Sequence, residues 1–310
     1  MSSRAWALFA GISVIWGIPY LFIKVAVDDG VPPAFLAWAR VVLAAAVLLL
    51  YAWRSGTLGS LRGRGRYLAA FATAEIVVPF PLIAAGEIHV DSSVAAILIA
   101  SAPLLVALLA IRFDHEERAT GARLAGLFIG LAGVVALVGI DIAGEADELL
   151  GAGAILVAAL GYSIGPMVLK RRLGDLDPVA TMGAALAVAA VPLTVLAAFD
   201  LPDSAPTFDG WMSIFVLGLV CTAAAFVLMA SLVTEVGPGK ALVVTYVNPV
   251  VAVALGVAIL GERPGVAAIA GLLLILAGSW LSTGGRLPPG RLVPIRRRPA
   301  PGMAGSEQGT

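Results

Sequence analysis

Two charged side chains, Arg40 and Glu75, stand inside otherwise apolar stretches and are the first candidates for chemistry. A charge within a bilayer costs a few kcal/mol on insertion scales, so each should face a wet cavity or a partner. Arg40 lies seven residues after Pro33, about 10 Å inside its stretch at 1.5 Å per residue. It could anchor a carboxylate or phosphate on a solute. Alternatively, it snorkels to the surface or forms a fixed ion pair.

Glu75 has the chemistry of a proton carrier. Pro79, four residues later, removes the helix hydrogen bond that the Glu75 carbonyl would accept. A low-dielectric site favours the neutral carboxylic acid, which suits a residue that takes up and releases a proton. We therefore hypothesise that Glu75 couples proton movement to the activity of the protein. The alternative is a permanently protonated or helix-bonded side chain.

An aromatic stripe precedes these charges. Trp16, Tyr20 and Lys24 are spaced i, i+4 and i+8, which places them on one face of a helix. Such a stripe could line a solute path. The alternative is that the aromatic rings face lipid and that Lys24 snorkels to the membrane surface.

Prolines within apolar stretches are predicted as kinks or hinges: Pro79, Pro103, Pro166 and Pro249. Pro103 and Pro249 each deprive a carbonyl one turn earlier of its donor, and a cavity or its water could replace that donor. Simple packing kinks are the alternative. Tyr246 and Asn248 beside Pro249, and Tyr162 near Pro166, complete the predicted solute-binding residues and favour a polar site in the second half.

The composition excludes a water-soluble fold. The chain is 60% hydrophobic and 13% charged, with a mean hydropathy of +0.99, whereas soluble domains are about 25% charged. The lone Cys221 and two histidines, in predicted connections, give no disulfide framework or metal site. A phosphate-binding loop ending in Gly-Lys-Ser or Gly-Lys-Thr is also missing, so ATP-driven pumping within this chain is not expected. We expect no cofactor and no nucleic-acid partner.

Ten apolar runs are long enough to cross about 30 Å of hydrocarbon, which needs roughly 20 residues. The predicted fold class is therefore an all-α membrane protein with ten transmembrane helices. The runs are Ala5–Val27, Pro33–Trp53, Tyr67–Gly86, Ser92–Ile111, Ala122–Ile140, Leu149–Leu169, Pro178–Phe199, Trp211–Val233, Ala241–Leu260 and Val266–Thr283.

The basic residues predict the orientation. Seventeen of the 20 Lys and Arg residues fall on the side of the N-terminus, and only Lys24 and Arg263 fall on the other. Because basic loops stay in the cytoplasm, both termini are expected there, in a protein integral to the plasma membrane, most simply a bacterial inner membrane. Residues 284–310 are predicted to be a disordered basic tail.

The chain carries an internal repeat. A shift of 146 residues superposes Pro32 on Pro178 and Pro103 on Pro249, and a shift of 145 superposes Glu117 on Glu262. The predicted repeats, 4–140 and 149–283, hold five helices each, and an odd number inverts the second repeat in the membrane. The acidic turns at Glu117 and Glu262 are predicted to form local ion pairs and stabilise turns, with a gate as the alternative.

These motifs resemble the EamA-like family of the drug/metabolite transporter superfamily. The resemblance lies in the stretches 16–24 and 248–264, and in Pro33, Arg40 and Pro103. It implies a ten-helix fold and export or exchange of small metabolites, amino acids or drugs. Glu75 is not part of the general family pattern, so the resemblance does not assign its role.

The leading interpretation is a secondary transporter that works by alternating access, exporting or exchanging a small solute. Its expected partners are that solute, protons in the coupling hypothesis, and the lipid bilayer; a homodimer is a further hypothesis. The alternative is an intramembrane enzyme acting on a lipid or small molecule. An enzyme would need a nucleophile with a base, a metal cluster or paired acids, and no histidine lies within a predicted span, so enzymatic activity is not expected.

Overall fold

The computed structural model describes residues 1–113, 121–142 and 146–282. Every regular element in those ranges is helical, in line with the all-α prediction. The predicted tail, 284–310, and the turn containing Glu117 lie outside the described residues.

The described ranges contain ten apolar helices of ten or more residues, and eight of them are long and apolar enough to cross a membrane. Their ends lie within four residues of the predicted spans. The eight are α1 (Ser3–Asp28), α2 (Pro33–Arg54), α3 (Gly65–Glu87), α4 (Ser92–Leu109), α5 (Ala122–Gly139), α6 (Ala146–Leu173), α7 (Pro178–Ala198) and α8 (Phe208–Val236), and the two shorter apolar helices are α9 (Val244–Leu260) and α10 (Val266–Ser282).

The start of the ninth span differs from the prediction. Gly237 adopts a φ of +84° at the end of α8, a conformation that glycine tolerates. Residues Pro238–Ala241 then form a separate short helix, and α9 begins at Val244. Ala241, the predicted start of the ninth span, therefore belongs to this short helix, and α9 begins three residues later than predicted.

Several helices depart from regular α geometry inside the membrane-length segments. The bond from Val78 N–H to the Thr73 carbonyl, 3.1 Å long, closes a π-helical segment, Thr73–Val77, just before Pro79. A longer π segment, Val216–Ala224, interrupts α8. Such segments are frequent at functional sites because they re-aim side chains and free backbone groups.

Glycines allow α3 and α6 to approach closely. A methyl group on Gly86 would lie 2.8 Å from the Gly151 carbonyl oxygen, and one on Gly161 would lie 2.9 Å from Pro79 Cγ. Small residues at helix interfaces allow backbones to meet in this way in membrane proteins. The kinked part of α3 is therefore packed directly against α6.

Polar contacts define the two ends of the helix bundle. At the N-terminal end, Arg64 pairs with Asp175 at 2.6 Å. At the opposite end, here called the distal end, the Asp29 carboxylate accepts a hydrogen bond from the Thr207 backbone N–H at 3.0 Å. The Asp200 carboxylate accepts one from the Ala34 N–H, also at 3.0 Å. These contacts fix the loops that follow α1 and α7.

Candidate functional site

Arg40 occupies the interior of the bundle. Its side chain on α2 is only 6% exposed, so it does not snorkel to the surface. The guanidinium lies over the Phe80 ring at 4.1 Å from the centroid, a cation–π geometry. Its Nη2 donates to Thr222 Oγ1 at 3.2 Å, while its Nε has no hydrogen-bond partner among the described residues. Within that part of the chain Arg40 forms no ion pair, and an uncommitted donor remains in an apolar interior.

Thr222 places the second half of the chain beside Arg40. It lies in the π segment of α8 and donates its own hydroxyl to the Leu217 carbonyl at 2.7 Å. Its oxygen is therefore oriented to accept from the guanidinium. Gly218, one turn earlier, brings the two backbones together, because a methyl group there would lie 3.1 Å from the Arg40 carbonyl oxygen.

Two tyrosines complete the surroundings of Arg40. Tyr20 from α1 and Tyr162 from α6 pack against the same buried apolar cluster, and both interact electrostatically with Arg40. Tyr162 also interacts with Glu75. The structure therefore gathers four predicted residues from four helices into one group, here called the central cluster: Tyr20, Arg40, Glu75 and Tyr162.

Glu75 projects from the π segment of α3 towards α6. A methyl group on Gly165 would overlap Glu75 Oε2, so this glycine makes the space that the carboxyl occupies. Oε2 is buried and finds no hydrogen-bond partner in the described chain. An unpaired carboxyl in such a place costs far more free energy as an anion than as a neutral acid.

Glu87, which was not among the predicted site residues, is the most deeply buried acidic side chain of the described part. It is 0% exposed at the end of α3, and neither carboxylate oxygen has a hydrogen-bond partner there. It interacts electrostatically with Arg40 and Tyr20. The sequence signal was weak, because Glu87 follows the predicted span end at Gly86 and a charge at a span end is ordinarily solvated.

A cavity of about 460 Å³ opens at the distal end of the bundle. Its charged lining consists of Lys24, Asp28, Asp91, Glu262 and Arg263. Lys24 Nζ lies 3.1 Å from Asp28 Oδ1 and donates to the Glu87 backbone carbonyl at 2.9 Å. Partial burial raises the pKa of Asp91, and the neighbouring negative charge of Glu262 raises it further.

Glu262 caps α4 from the other half of the chain. Its carboxylate accepts from the backbone N–H groups of Ser92 at 2.8 Å and Ser93 at 3.0 Å, and from the Ser93 hydroxyl. Helix N-termini attract carboxylates because their first N–H groups are unpaired. The local ion pair predicted for Glu262, with the adjacent Arg263 as its partner, is wrong: within the described ranges, Glu262 bonds to these serines instead.

Three predicted binding residues lie apart from the central cluster. Trp16 packs edge-on against Phe226, with ring centroids 5.9 Å apart. Assigned from its hydrogen-bond partners, the Asn248 amide donates to the carbonyl oxygens of Val244 at 2.7 Å and Ser13 at 3.2 Å. Tyr246 points towards the Ser279 carbonyl on α10, 3.4 Å from its hydroxyl. The first half of the chain therefore contributes more residues to the central cluster than the sequence predicted.

The four predicted kink prolines differ in their settings. Pro79 follows the π segment of α3, and Pro103 follows a break in α4 between Ile99 and Ala102. Near that break, the Ser163 hydroxyl on α6 donates to the Ala102 carbonyl at 2.9 Å. Pro249 is buried within α9, whereas Pro166 is exposed on the surface of α6 and does not face the central cluster.

The chemistry available in the central cluster is binding and proton exchange. The described residues contain no group of three or more His, Cys, Asp or Glu side chains able to hold a metal ion. Cys221 is buried close to Arg40. The buried cation, carboxyl and two tyrosines of the central cluster, with the buried Glu87 carboxyl outside it, are a set suited to a charged solute. Intramembrane ionisable groups of this kind mark solute or proton pathways.

Helices of membrane length around buried ionisable groups define a polytopic membrane protein of transporter type. Comparison with known proteins identifies its family. The model of the EamA-like transporter family matches residues 4–139 and again 149–284. The chain belongs to this family, which confirms the resemblance noted in the sequence.

Several relatives of this chain carry names that describe them as transporters. The chain is 29% identical over 268 residues to the uncharacterized inner membrane transporter YedA of Escherichia coli K12, covering 83% of this chain and 82% of YedA. It is 29% identical to a probable terminal-alkyne amino-acid exporter of Streptantibioticus cattleyicolor, covering 91% and 93%. It is 24% identical to a probable amino-acid metabolite efflux pump of E. coli K12, covering 92% and 96%.

A solved crystal structure shares the fold. The two superpose with a TM-score of 0.65 over 91% of this chain and 98% of the other, at 21% sequence identity.

Proposed function

We propose that this protein is a secondary exporter that moves a small, charged organic solute across the plasma membrane by alternating access. The observation that carries the proposal is Arg40, a buried guanidinium with a free donor at the centre of a helix bundle of the EamA-like family. Such a group is costly unless it serves a ligand or a water-filled path. The exporter names of two relatives favour outward flux.

An inverted repeat supplies the alternating states in this proposal. The family model matches the chain twice, and each matched stretch holds five of the ten helices. Five crossings would reverse the second half, and transporters with such repeats bind solute where the halves meet. The bond from Arg40 to Thr222 and the cap of Glu262 on α4 both cross between the halves.

The proposed orientation places the N-terminal end in the cytoplasm and the distal end outside. The excess of Lys and Arg at the N-terminal end supports it. The distal cavity would then face the exterior.

Arg40 is proposed to bind the anionic group of the solute. A guanidinium presents several donors in a fixed fork that matches a carboxylate or phosphate. Thr222 takes one N–H and the Phe80 ring covers a face of the guanidinium, which leaves the Nε edge for a ligand.

The direct test of export is a flux assay with the purified chain in sealed proteoliposomes. Amino acids, phosphorylated metabolites and organic cations would be screened for protein-dependent exchange. We expect saturable exchange of a solute with an anionic group, and loss of that exchange in Arg40→Gln. Chemical conversion of the solute, instead of its relocation, would support the intramembrane-enzyme alternative.

Glu75 is proposed to bind the proton that drives export. Its carboxyl is buried, unpaired at Oε2 among the described residues, and interacts electrostatically with Tyr162 in the central cluster. Proton release would leave an anion in low dielectric, which costs free energy unless a cation replaces the proton. Solute and proton movements would then be linked through Arg40.

The variant Glu75→Gln tests this coupling, because the amide keeps the shape of the side chain and removes its proton. We expect solute exchange at equal pH to persist while concentration of solute by a pH gradient falls to background. Glu148→Gln, a partly exposed position at the start of α6, is the matched control. Gradient-driven accumulation in Glu75→Gln at the wild-type level would contradict the proposal.

A further inference from the structure

Helix α4 is capped by a remote carboxylate although it has a capping residue of its own. Asp91 precedes the helix with φ −64° and ψ 150°, the extended backbone of an N-cap, yet its side chain makes no capping hydrogen bond to α4. Aspartate is among the preferred residues at this position and ordinarily accepts from the second or third helical N–H. The second of these, the Ser93 N–H, is bound by Glu262 at 3.0 Å. Glu262 therefore occupies a place that Asp91 could fill.

The surroundings of the Glu262 carboxylate are shaped to hold it there. Ser92 and Ser93, which donate to it, are both 0% exposed. A methyl group on Gly256 would overlap Glu262 Oε2 and lie 2.6 Å from Ser93 Oγ, so this glycine makes the space for the contact. The Glu262 backbone N–H donates to the Gly256 carbonyl at 3.1 Å, which fixes the turn that carries the carboxylate.

This contact joins the two halves of the chain beside the distal cavity. Helix α4 belongs to the first matched stretch, 4–139, and Glu262 to the second, 149–284. The lining of the cavity contains both Asp91 and Glu262 but no residue of the central cluster: Lys24, Asp28, Asp91, Leu260, Gly261, Glu262 and Arg263. The cavity therefore stops short of the central cluster while Glu262 caps α4.

Separating the halves at this point would leave buried donors of α4 without partners. Unpaired N–H groups at a helix start cost free energy. Rotation of the Asp91 side chain onto the Ser93 N–H would replace one of the lost bonds within the first half itself. Such a replacement reduces the difference in free energy between a closed and an open distal end.

We propose that Glu262 and Asp91 are alternative caps of α4, and that exchange from Glu262 to Asp91 opens the distal end of the bundle. With Glu262 on α4 the halves are joined and the cavity is shallow. With Asp91 in its place, the turn that carries Glu262 is released and the cavity extends inwards. This assignment rests on the proposed alternating-access function and names two residues that control release of the solute at the distal end.

The test measures how often the start of α4 is uncovered. Ser92→Cys, in the Cys221→Ser background, provides a thiol at a position that is 0% exposed. The Ser92 hydroxyl has no hydrogen-bond partner among the described residues, and the substitution keeps the N–H that binds Glu262. The rate of reaction with a maleimide is measured on the purified full-length chain in detergent, so the result does not depend on orientation in a membrane.

The two carboxylates are expected to act in opposite directions. Glu262→Gln should raise the rate about 10-fold, because it weakens charge-assisted bonds that exist only in the closed state. Gly256→Ala should also raise it, because the methyl group displaces the carboxylate and keeps its charge. Asp91→Ala should lower the rate about 5-fold, because the open state loses its cap. Asp203→Asn, an exposed control at the distal end, should stay within about 2-fold of the parent.

Two results would overturn the proposal. An unchanged or lower rate in Glu262→Gln would show that its contact with α4 does not hold the distal end closed. A higher rate in Asp91→Ala would show that Asp91 stabilises the closed state, as an ordinary structural residue would. If Glu262→Gln does not yield folded protein, Gly256→Ala and Asp91→Ala still decide the outcome.

Failure of the cap exchange and failure of the proposed function are distinguishable. If the wild type exchanges a solute in proteoliposomes while the labelling rates do not change as expected, export stands and the cap exchange is wrong. If the rates change in opposite directions but no screened solute is exchanged, the two caps are correct and the export proposal fails.

Discussion

Gly165 shows how a single residue on one helix determines the environment of a buried charge on another. The Glu75 carboxyl lies directly against its backbone, and no larger residue fits without displacing that carboxyl. Glu75 stood out in the sequence as a charge in an apolar run. The sequence did not predict which helix packs against Glu75, because contacts between residues 90 positions apart leave no local pattern.

Gly165→Ala is predicted to destabilise the protein. The added methyl group overlaps Glu75 Oε2, and overpacking of this kind costs about 1–3 kcal/mol of the free energy of unfolding. Gly153→Ala is the matched control on the same helix, because a methyl group there meets nothing within 4 Å. Thermal unfolding in detergent should show a lower midpoint for Gly165→Ala only. Identical midpoints for the two variants would disprove the packing described for Glu75.

At the residue scale the sequence located Arg40, Glu75, Tyr20 and Tyr162 but not Glu87. The first two were found from the cost of a charge inside an apolar run. Glu87 was missed because the cost of a charge depends on its burial. At a helix end, that burial is decided by the neighbouring helices.

At the scale of elements, helix pairs are brought together by small residues. Helices α5 and α10 meet at glycines. A methyl group on Gly126 would lie 2.6 Å from the Ser282 backbone nitrogen and 2.9 Å from the Gly278 carbonyl oxygen. The backbones themselves are in contact, so any side chain on Gly126 must separate the helices.

Gly126→Ala is therefore predicted to lower the free energy of unfolding by about 1–3 kcal/mol. Gly139→Ala, also in α5, introduces a methyl group with nothing within 4 Å and should leave stability close to that of the wild type. Unfolding in a denaturing detergent, followed by circular dichroism, measures both. A Gly126→Ala protein as stable as Gly139→Ala would show that the helices separate at little cost.

The sequence predicted one of the two irregular helix segments near the central cluster and missed the other. Pro79 predicted a loosened backbone at Glu75, and the structure has a π segment there. The π segment of α8, Val216–Ala224, contains no proline. This segment lies beside Arg40. Its Thr222 hydroxyl donates to the Leu217 carbonyl and accepts from the Arg40 guanidinium. No residue type in the sequence predicted a π segment at this place.

At the scale of the whole molecule, the orientation in the membrane is open to a direct measurement. Cys221 is the lone cysteine of the sequence and is only 3% exposed, so the wild-type protein should not react with a membrane-impermeant maleimide. In the Cys221→Ser background, Ser204→Cys at the distal end should react in intact cells. Ser60→Cys at the N-terminal end should react only in inside-out vesicles.

Reaction of both cysteines from the same side would contradict the proposed topology. That result would also contradict the inverted-repeat mechanism, because the mechanism requires five membrane crossings in each half of the chain.

The sequence by itself determined the class of fold, the number of helices and the family, because these depend on hydropathy, span length and local motifs that act within 20 or so residues. It also selected two of the ionisable groups that a bilayer makes expensive, Arg40 and Glu75, but not Glu87. Tertiary structure alone decided which of them meet. It joined Arg40 to Thr222, enclosed Glu87 and set Glu262 on the N-terminus of α4. The reason is physical: burial and hydrogen bonding across helices arise from packing between segments far apart in the chain, which no local pattern encodes.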